Sequence, residues 1–199
     1  MDEFSKRTGL EKLLKSCFPD THRQILSMAN YLAIEGGALS HCESWAKSHE
    51  PDLAASLTIQ RISEMLSSIG TDGKQTFLAK WIGNVLEYDY ICYDITSVSS
   101  YSELNEFIKW GHNRDKEKLP QLNFAMLFGQ KSALPVYYHR VPGSINDVST
   151  LRNLLLIFKA LEVKRLHYVI DKGFYSRKNV DALVENRDRF TLSVPLSNK

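Results

Sequence analysis

The sequence predicts an α/β protein: a mixed β-sheet core preceded by an all-α region. Three observations carry that reading. Apolar residues recur at helical spacing up to about residue 86 and at strand spacing from residue 87. Three apolar runs then follow one another with no helical pattern between them, and the last third of the chain alternates helix and strand. The division falls as 1–86, a helical N-terminal region, and 87–199, the sheet-bearing core.

In the first region Thr8 and Glu11 form a capping box ahead of Leu10, Leu13, Leu14 and Cys17, and Pro19 ends that helix. A second helix runs from about Thr21, with Ile25, Met28, Ala29, Leu32 and Ala33 on one stripe, until Gly36 and Gly37 stop it. Ser40 and Glu43 make another capping box, opening a short helix through Trp45. After a polar turn around Pro51, "LTIQRISEMLSSIG" gathers Ile62, Met65, Leu66 and Ile69 on one face, with Gly70 as its stop. A last helix spans Phe77 to Val85. The two middle helices admit two readings. One is a helix-turn-helix that points Gln60, Arg61 and Glu64 at DNA; the other is the solvated face of a bundle.

The strands begin at 87–96 and continue with "QLNFAMLFG" (121–129) and "LPVYYHRV" (134–141), the last two joined by a turn over Gly129 to Ser132 and hence an antiparallel hairpin. Pro142 and Gly143 lead into a helix, capped by Asp147 or Ser149, that repeats Leu through Leu161. "RLHYVID" (165–171) is the fourth strand, a helix covers 176–187, and "RFTLSVPL" is the fifth strand. A strand that returns after a helix lies parallel to an earlier one through a right-handed crossover. Docking the fourth strand beside the first gives the strand order 3-2-1-4-5, which is the ribonuclease-H-like arrangement.

That order explains an anomaly in "EYDYICYDITSVSSYS" (87–102). Asp94 interrupts an apolar run, although aspartate is depleted in strands and an ionised carboxylate is costly to bury alone. If the first and fourth strands are neighbours, Asp94 and Asp171 meet. Two adjacent carboxylates repel unless they share a proton or a divalent cation. Asp171 also reads as a turn former ahead of Gly173 in "VIDKG". His139 and His167 read as packed or hydrogen-bonded, and Asp147 as a cap. Trp81, Trp110 and the strand tyrosines read as core, with base stacking open to Trp110 if its loop is exposed.

Composition narrows the classes further. The 199 residues are 43% apolar and 24% charged, as in an ordinary globular chain, with no apolar run long enough for a membrane span and no signal-like leader. A cytoplasmic protein is expected. Cys17, Cys42 and Cys92 are widely spaced and fit reduced thiols rather than a disulfide framework. Residues 1–93 hold 9 basic and 12 acidic side chains, while residues 94–199 hold 16 and 11, so the second half is the one suited to a polyanion. An aspartyl-phosphate enzyme fits less well. A haloacid-dehalogenase-like site wants an acid two positions after the nucleophile, where Thr96 stands, and a receiver-like domain does not begin with three consecutive strands.

"YDITSVSSYS", "WGHNRDKEKLPQLNFAMLF", "LPVYYHRVPGSINDVSTL" and "VIDKGFYSRKNVDALVENRDRFTLSVPLS", in that order, resemble the DDE transposases of the insertion-sequence-4-like superfamily, in the subgroup with a DITS motif. The resemblance spans about residues 58–199 and implies a ribonuclease-H-like core that cuts and joins DNA with Mg²⁺, Mn²⁺ substituting. It places the first two catalytic and metal-binding acids on Asp94 and Asp171, with Lys172 where many relatives have arginine. Asn113, Arg114 and Lys116 after the first strand, and Lys172, Arg177 and Lys178 beside Asp171, sit in loops at the active edge of the sheet and read either as phosphate contacts or as solvated charge. Double-stranded DNA is the expected partner, with a possible homodimer and no membrane. The family's third acid, a glutamate on a helix beyond the fifth strand, has no counterpart before Lys199. The resemblance thus implies a core incomplete at its C-terminal end: either a transposase present as a truncated chain, or a non-catalytic remnant that binds DNA or dimerises as an inhibitor or has no role.

Overall fold

The computed structural model of the chain describes residues 2–86, 90–103, 105–111, 118–145, 147–163 and 165–196. It comprises two compact units, Met1–Asn84 and Val85–Lys199. No helix among the described residues is long and apolar enough to cross a membrane.

The first unit is helical: α1 (Asp2–Arg7), α2 (Leu10–Cys17), α3 (His22–Ile34), α4 (Cys42–His49), α5 (Pro51–Ala54), α6 (Ile59–Ser68) and α7 (Thr71–Val85). Its core gathers Met28 and Tyr31 from α3, Cys42, Trp45 and Ala46 from α4, then Ala54, Leu57, Ile62 and Met65. The Tyr31 hydroxyl donates to the Ala38 carbonyl (2.9 Å), and its ring meets Trp45 edge-on at 5.7 Å.

Several local expectations are corrected here. Thr8 is not a helix start: its hydroxyl donates to the Phe4 carbonyl (2.8 Å) and so closes α1, while Gly9, at φ 73°, opens α2. Ser40 lies in a 3-10 turn, Leu39–His41, and α4 begins after it. The residues after Pro51 form α5 rather than a turn, because proline at a first helical position has no amide hydrogen to leave unsatisfied. Thr58, not singled out in the sequence, caps α6 by accepting from the Arg61 amide (3.3 Å), and Leu66, placed on the apolar face, is 45% exposed.

The second unit holds β1 (Ile91–Ser99), β2 (Gln121–Gly129), β3 (Pro135–Pro142), α8 (Asp147–Ala160), β4 (His167–Ile170), α9 (Arg177–Glu185) and β5 (Arg189–Leu192). The sheet order is β3-β2-β1-β4-β5, antiparallel across β3-β2-β1 and parallel across β1-β4-β5, the ribonuclease-H-like order expected from the sequence. Part of the predicted first strand, residues 87–89, lies outside the described residues; β1 itself runs on to Ser99.

One face of this sheet is the core. Ile91, Tyr93 and Ile95 of β1, Ala125 and Leu127 of β2, and Tyr168 and Ile170 of β4 are buried, as are Leu151, Leu154, Leu155 and Phe158 of α8. The Phe158 ring meets Tyr137 of β3 at 5.7 Å. The ladder between β2 and β3 is interrupted by a register shift at Leu127/Phe128, and β3 carries proline at both ends. Past β3, Gly143 passes so close to its neighbours that a Cβ there would overlap the Gln121 carbonyl oxygen and lie 2.5 Å from that of Lys109.

Candidate active site

Successive side chains of a strand point to opposite faces, and in the DITS segment that alternation separates two tasks. Ile95 and Ser97 turn inward. Ile95 is 2% exposed, and the Ser97 hydroxyl donates to Asn123 Oδ1 (2.9 Å). Asn123 Oδ1 also accepts from Gln121 Nε2 (3.3 Å), while Asn123 Nδ2 donates to the Ile145 carbonyl (3.1 Å). This buried polar network ties the end of β1 to the segment that enters α8. Asp94 and Thr96 turn outward, to the solvent face.

Asp94 is exposed, and its Oδ1 accepts the amide hydrogen of Ile95 (2.8 Å). Strands β1 and β4 are parallel neighbours paired Ile91 with Tyr168, Cys92 with Val169 and Tyr93 with Ile170. One further step along that register sets Asp94 opposite Asp171. Neighbouring strands lie about 4.8 Å apart, so the two backbones are adjacent. Both residues fall on the face opposite the buried Tyr93 and Ile170, and both are exposed.

Asp171 is also the turn former anticipated from the sequence. Its Oδ1 accepts from the Gly173 amide (3.0 Å) and caps a 3-10 turn, Lys172–Phe174. Phe174 is fully buried and its ring lies 5.0 Å from that of Tyr93. Asn179 Nδ2 donates to the carbonyls of Phe174 (2.7 Å) and Val148 (2.9 Å), so the turn after Asp171 is fastened to the starts of α8 and α9. Sequence reasoning missed Asn179, Ser97 and Asn123. The available signal was a polar side chain recurring on the inward parity of a strand, or on the inner face of a helix.

Of the expected phosphate contacts, Lys172 is exposed beside Asp171, and Arg177 and Lys178 are exposed in the first turn of α9. Arg177 Nε is bonded to Asp181 Oδ1 (3.2 Å). Asn113, Arg114 and Lys116 lie outside the described residues, as does the side chain of Asp147. In α6, Gln60 and Arg61 both donate to Glu64 (3.0 Å each), so the three side chains are engaged with one another.

The other conspicuous groups divide between those that meet expectation and those that do not. Trp81 is buried, but Trp110 is 66% exposed and Tyr90 is 45% exposed, so these two are not core. Tyr90 packs on the His167 ring at 4.4 Å, and His167 Nε2 is 3.2 Å from Thr191 Oγ1. Both ring nitrogens of His139 are buried without a hydrogen-bond partner, and burial pulls its pKa below the ordinary value. The three cysteines are free thiols.

Two carboxylates on adjacent strands are the donor type an oxygen-preferring divalent cation takes, and one oxygen of each accepts from a backbone amide. Among the described residues no group of three His, Cys, Asp or Glu side chains is placed to hold a metal ion.

Among solved structures the chain is similar to piggyBac transposase in its synaptic complex with hairpin DNA, with a TM-score of 0.44 and 13% identity over 77% of this chain and 31% of that one. It is also similar to the catalytic domain of Mos1 mariner transposase (TM-score 0.36, 10% identity, 62% of this chain and 58% of that one). A third likeness is to Mos1 transposase in its paired-end complex with the left transposon end (TM-score 0.39, 12% identity, 85% and 58%). The chain thus spans less than two thirds of the length of each. No curated protein matches it significantly. The sequence profile described as "Transposase DDE domain" matches residues 86–198. That match takes in the whole β3-β2-β1-β4-β5 sheet and both aspartates, and on it the chain belongs to the transposase DDE domain family.

Proposed function

We propose that this chain is the part of an insertion-sequence transposase core, of the insertion-sequence-4-like DITS subgroup, that supplies two acidic ligands for phosphodiester hydrolysis and strand transfer. The observation that carries the reading is the placement of Asp94 and Asp171 on one exposed face, at facing positions of parallel neighbours. Asp94 and Asp171 would hold Mg²⁺, or Mn²⁺ in its place. When bound, such a cation lowers the pKa of an attacking water or 3′-hydroxyl and steadies the leaving oxygen.

The chain's own residues set up that chemistry. The Ile95 and Gly173 amides each hold one carboxylate oxygen, which limits rotation of both side chains before any ligand arrives. Lys172 and Lys178 present cationic side chains beside the pair, suited to the phosphates of double-stranded transposon-end and target DNA. Arg177 joins them once it exchanges Asp181 for a phosphate. The protein acts in the cytoplasm on DNA, as a homodimer where two transposon ends are brought together.

A second reading rests on a specific observation, the lack of a third acidic ligand near the pair among the described residues. On that reading the 199 residues alone bind DNA and a cation without cutting, and act as an inhibitor of transposition or have no role. One experiment addresses both readings. Mn²⁺ binding, followed by the loss of the free-ion electron paramagnetic resonance signal, is expected to be weak in the wild type, abolished in Asp94→Ala and strongly reduced in Asp171→Asn. The latter keeps a side-chain oxygen for the Gly173 amide. Undiminished binding in both variants would remove the site. On end-containing duplex DNA the 199-residue chain is expected not to nick. Metal-dependent nicking that disappears in Asp94→Ala would show that two aspartates suffice.

A further inference from the structure

The segment between β1 and β2 carries a hollow of about 690 Å³ with aromatic walls. Tyr101, 84% exposed, and Trp110, 66% exposed, both line it, together with Glu103, Asn105, Glu106 and Lys109. An exposed indole usually sits on a loose loop. This one does not.

The residues before Trp110 are pinned to the sheet. Lys109 and Gln121 exchange two backbone hydrogen bonds, of 3.0 and 2.9 Å, and Gly143 donates to the Phe107 carbonyl (3.2 Å). The Arg140 guanidinium covers the Phe107 ring at 4.6 Å. The residue after Trp110 is pinned too: a Cβ on Gly111 would overlap the Gly143 carbonyl, so the backbones touch there. The backbone on both sides of Trp110 is thereby fixed, so only its side-chain torsions remain to be ordered when a planar ligand stacks on the indole.

The lining chemistry identifies the ligand. Among the described residues Tyr101, Glu103, Glu106 and Trp110 have no hydrogen-bond or ring partner, and the only side-chain bond of Asn105 is made by its Oδ1, to the Phe107 amide (3.1 Å). The hollow therefore offers two flat faces, two carboxylate acceptors, one amide donor, the Lys109 ammonium and the hydroxyls of Ser100 and Ser102. Two carboxylates against one ammonium repel a phosphate backbone, whereas a base edge bearing an exocyclic amine suits them: glutamate accepts from cytosine N4. Stacking itself is tolerant of sequence, so the carboxylates supply the preference. Lys109 lies beside Gln121, which pairs with Ser99, five residues beyond Asp94. The hollow is then roughly 20 Å from Asp94 by strand spacings.

We propose that this hollow holds an unpaired, amine-bearing nucleobase, cytosine foremost, of a DNA strand running from the Asp94 face past the end of β1. Trp110 is its stacking platform, and Glu103 and Glu106 are its selectivity groups. The inference rests on the DNA reading above.

The chain reports on this itself. Trp45 and Trp81 are buried, so Trp110 is its one well-exposed tryptophan and the one whose emission a stacked base quenches. Intrinsic fluorescence is titrated with a homopolymeric deoxycytidine strand, a deoxythymidine strand of equal length, and heparin as a polyanion without bases. The expected result is quenching by deoxycytidine at about tenfold lower concentration than by deoxythymidine, a ratio in keeping with one good edge contact. Heparin should leave the emission unchanged, Trp110→Phe should abolish the response, and the Glu103→Gln/Glu106→Gln double variant should bring the two strands together. Equal quenching by both strands in the wild type would overturn the selectivity. No quenching by either, while a fluorescein-labelled duplex is still bound by anisotropy, would overturn the hollow and leave the DNA reading standing; loss of both signals would overturn both. A blue shift with protein concentration alone, absent in Trp110→Ala, would assign the hollow to a second copy of the chain and overturn the proposal.

Discussion

Along β1, Ile91, Tyr93 and Ile95 are at most 2% exposed, whereas Asp94, Thr96 and Val98, their neighbours in sequence, face solvent, Val98 at 51%. The first set is buried in the core, Tyr93 against the Phe174 ring; the second presents a carboxylate, a hydroxyl and an isolated methyl pair. The difference shows how one strand carries two unrelated constraints. The inward residues are chosen for volume, and the outward ones are free of that demand and available for chemistry. A one-residue slip of β1 would exchange the two sets and bury Asp94.

Substitutions on the two parities are the direct way to break this contrast. Ile95→Ala opens a cavity in the closed face and is expected to cost about 2–5 kcal/mol, read as a fall in the denaturation midpoint. Asp94→Ala, next to it, is expected to change stability by less than about 1 kcal/mol while removing Mn²⁺ binding. Should the two variants unfold at the same denaturant concentration, the division of labour along β1 would be wrong.

A smaller effect is expected from the polar part of the inward parity. Asn123→Ala leaves Ser97, Gln121 and the Ile145 carbonyl without their shared partner, at about 1–3 kcal/mol for buried groups left unsatisfied. Because that network holds the entry to α8, hydrogen exchange at the start of α8 should accelerate before exchange in β1 does. Uniform acceleration would mean that the network is not local.

Acid sharpens the contrast further. His139 lies on the inward parity of β3, opposite Ala125, and burial lowers its pKa in the folded chain below the ordinary 6.5. The unfolded chain therefore takes up this proton first as pH falls. Stability from the neutral ring is complete above about pH 6.5 and is lost as pH drops toward the depressed folded value. Equilibrium unfolding from pH 7.5 down to pH 5, scales set by the ordinary histidine range, should show this loss in the wild type and a flatter profile in His139→Phe. Parallel profiles would relieve His139 of the role.

The smallest effect expected is at Asp188, half-buried, whose carboxyl burial pushes up although it accepts from the Leu166 amide (3.1 Å). Its raised folded pKa contributes stability below the ordinary value of 3.8 that is lost as pH rises through the folded one. Asp188→Asn keeps an acceptor for Leu166 without the charge, and should be neutral or slightly stabilising at pH 7 by thermal melting.

How much of this was legible in the sequence follows the same parity. Strand order, and with it the parallel pairing of β1 with β4, could be read, because a right-handed crossover between two apolar strands leaves few alternatives. Helix starts could not be read as reliably. The Thr8–Glu11 and Ser40–Glu43 pairs look like capping boxes, but Thr8 closes the preceding helix and Ser40 sits in a 3-10 turn. The same side-chain oxygen can serve either end, and only the path of the backbone decides which. Trp110 reads as core, because tryptophan is usually largely buried, with base stacking open to it only where its loop is exposed. Its exposure depends on a pairing between Lys109 and Gln121 that no local pattern signals. Asn179 was invisible for a related reason: its value lies in carbonyls 31 and 5 residues away.

The two margins of the sheet have a consequence for solubility. β5 is only four residues long, and β3, at the other margin, is bounded by Pro135 and Pro142 and distorted by the shift at Leu127/Phe128. Short strands, prolines that cannot donate a ladder hydrogen bond, and bulges are the devices by which natural sheets refuse to add foreign strands. Phe128 and Tyr138, 37% and 42% exposed, lie close to one of those margins. An apolar sheet surface with receptive edges would seed fibres; with unreceptive ones it can stay exposed without polymerising through its backbone.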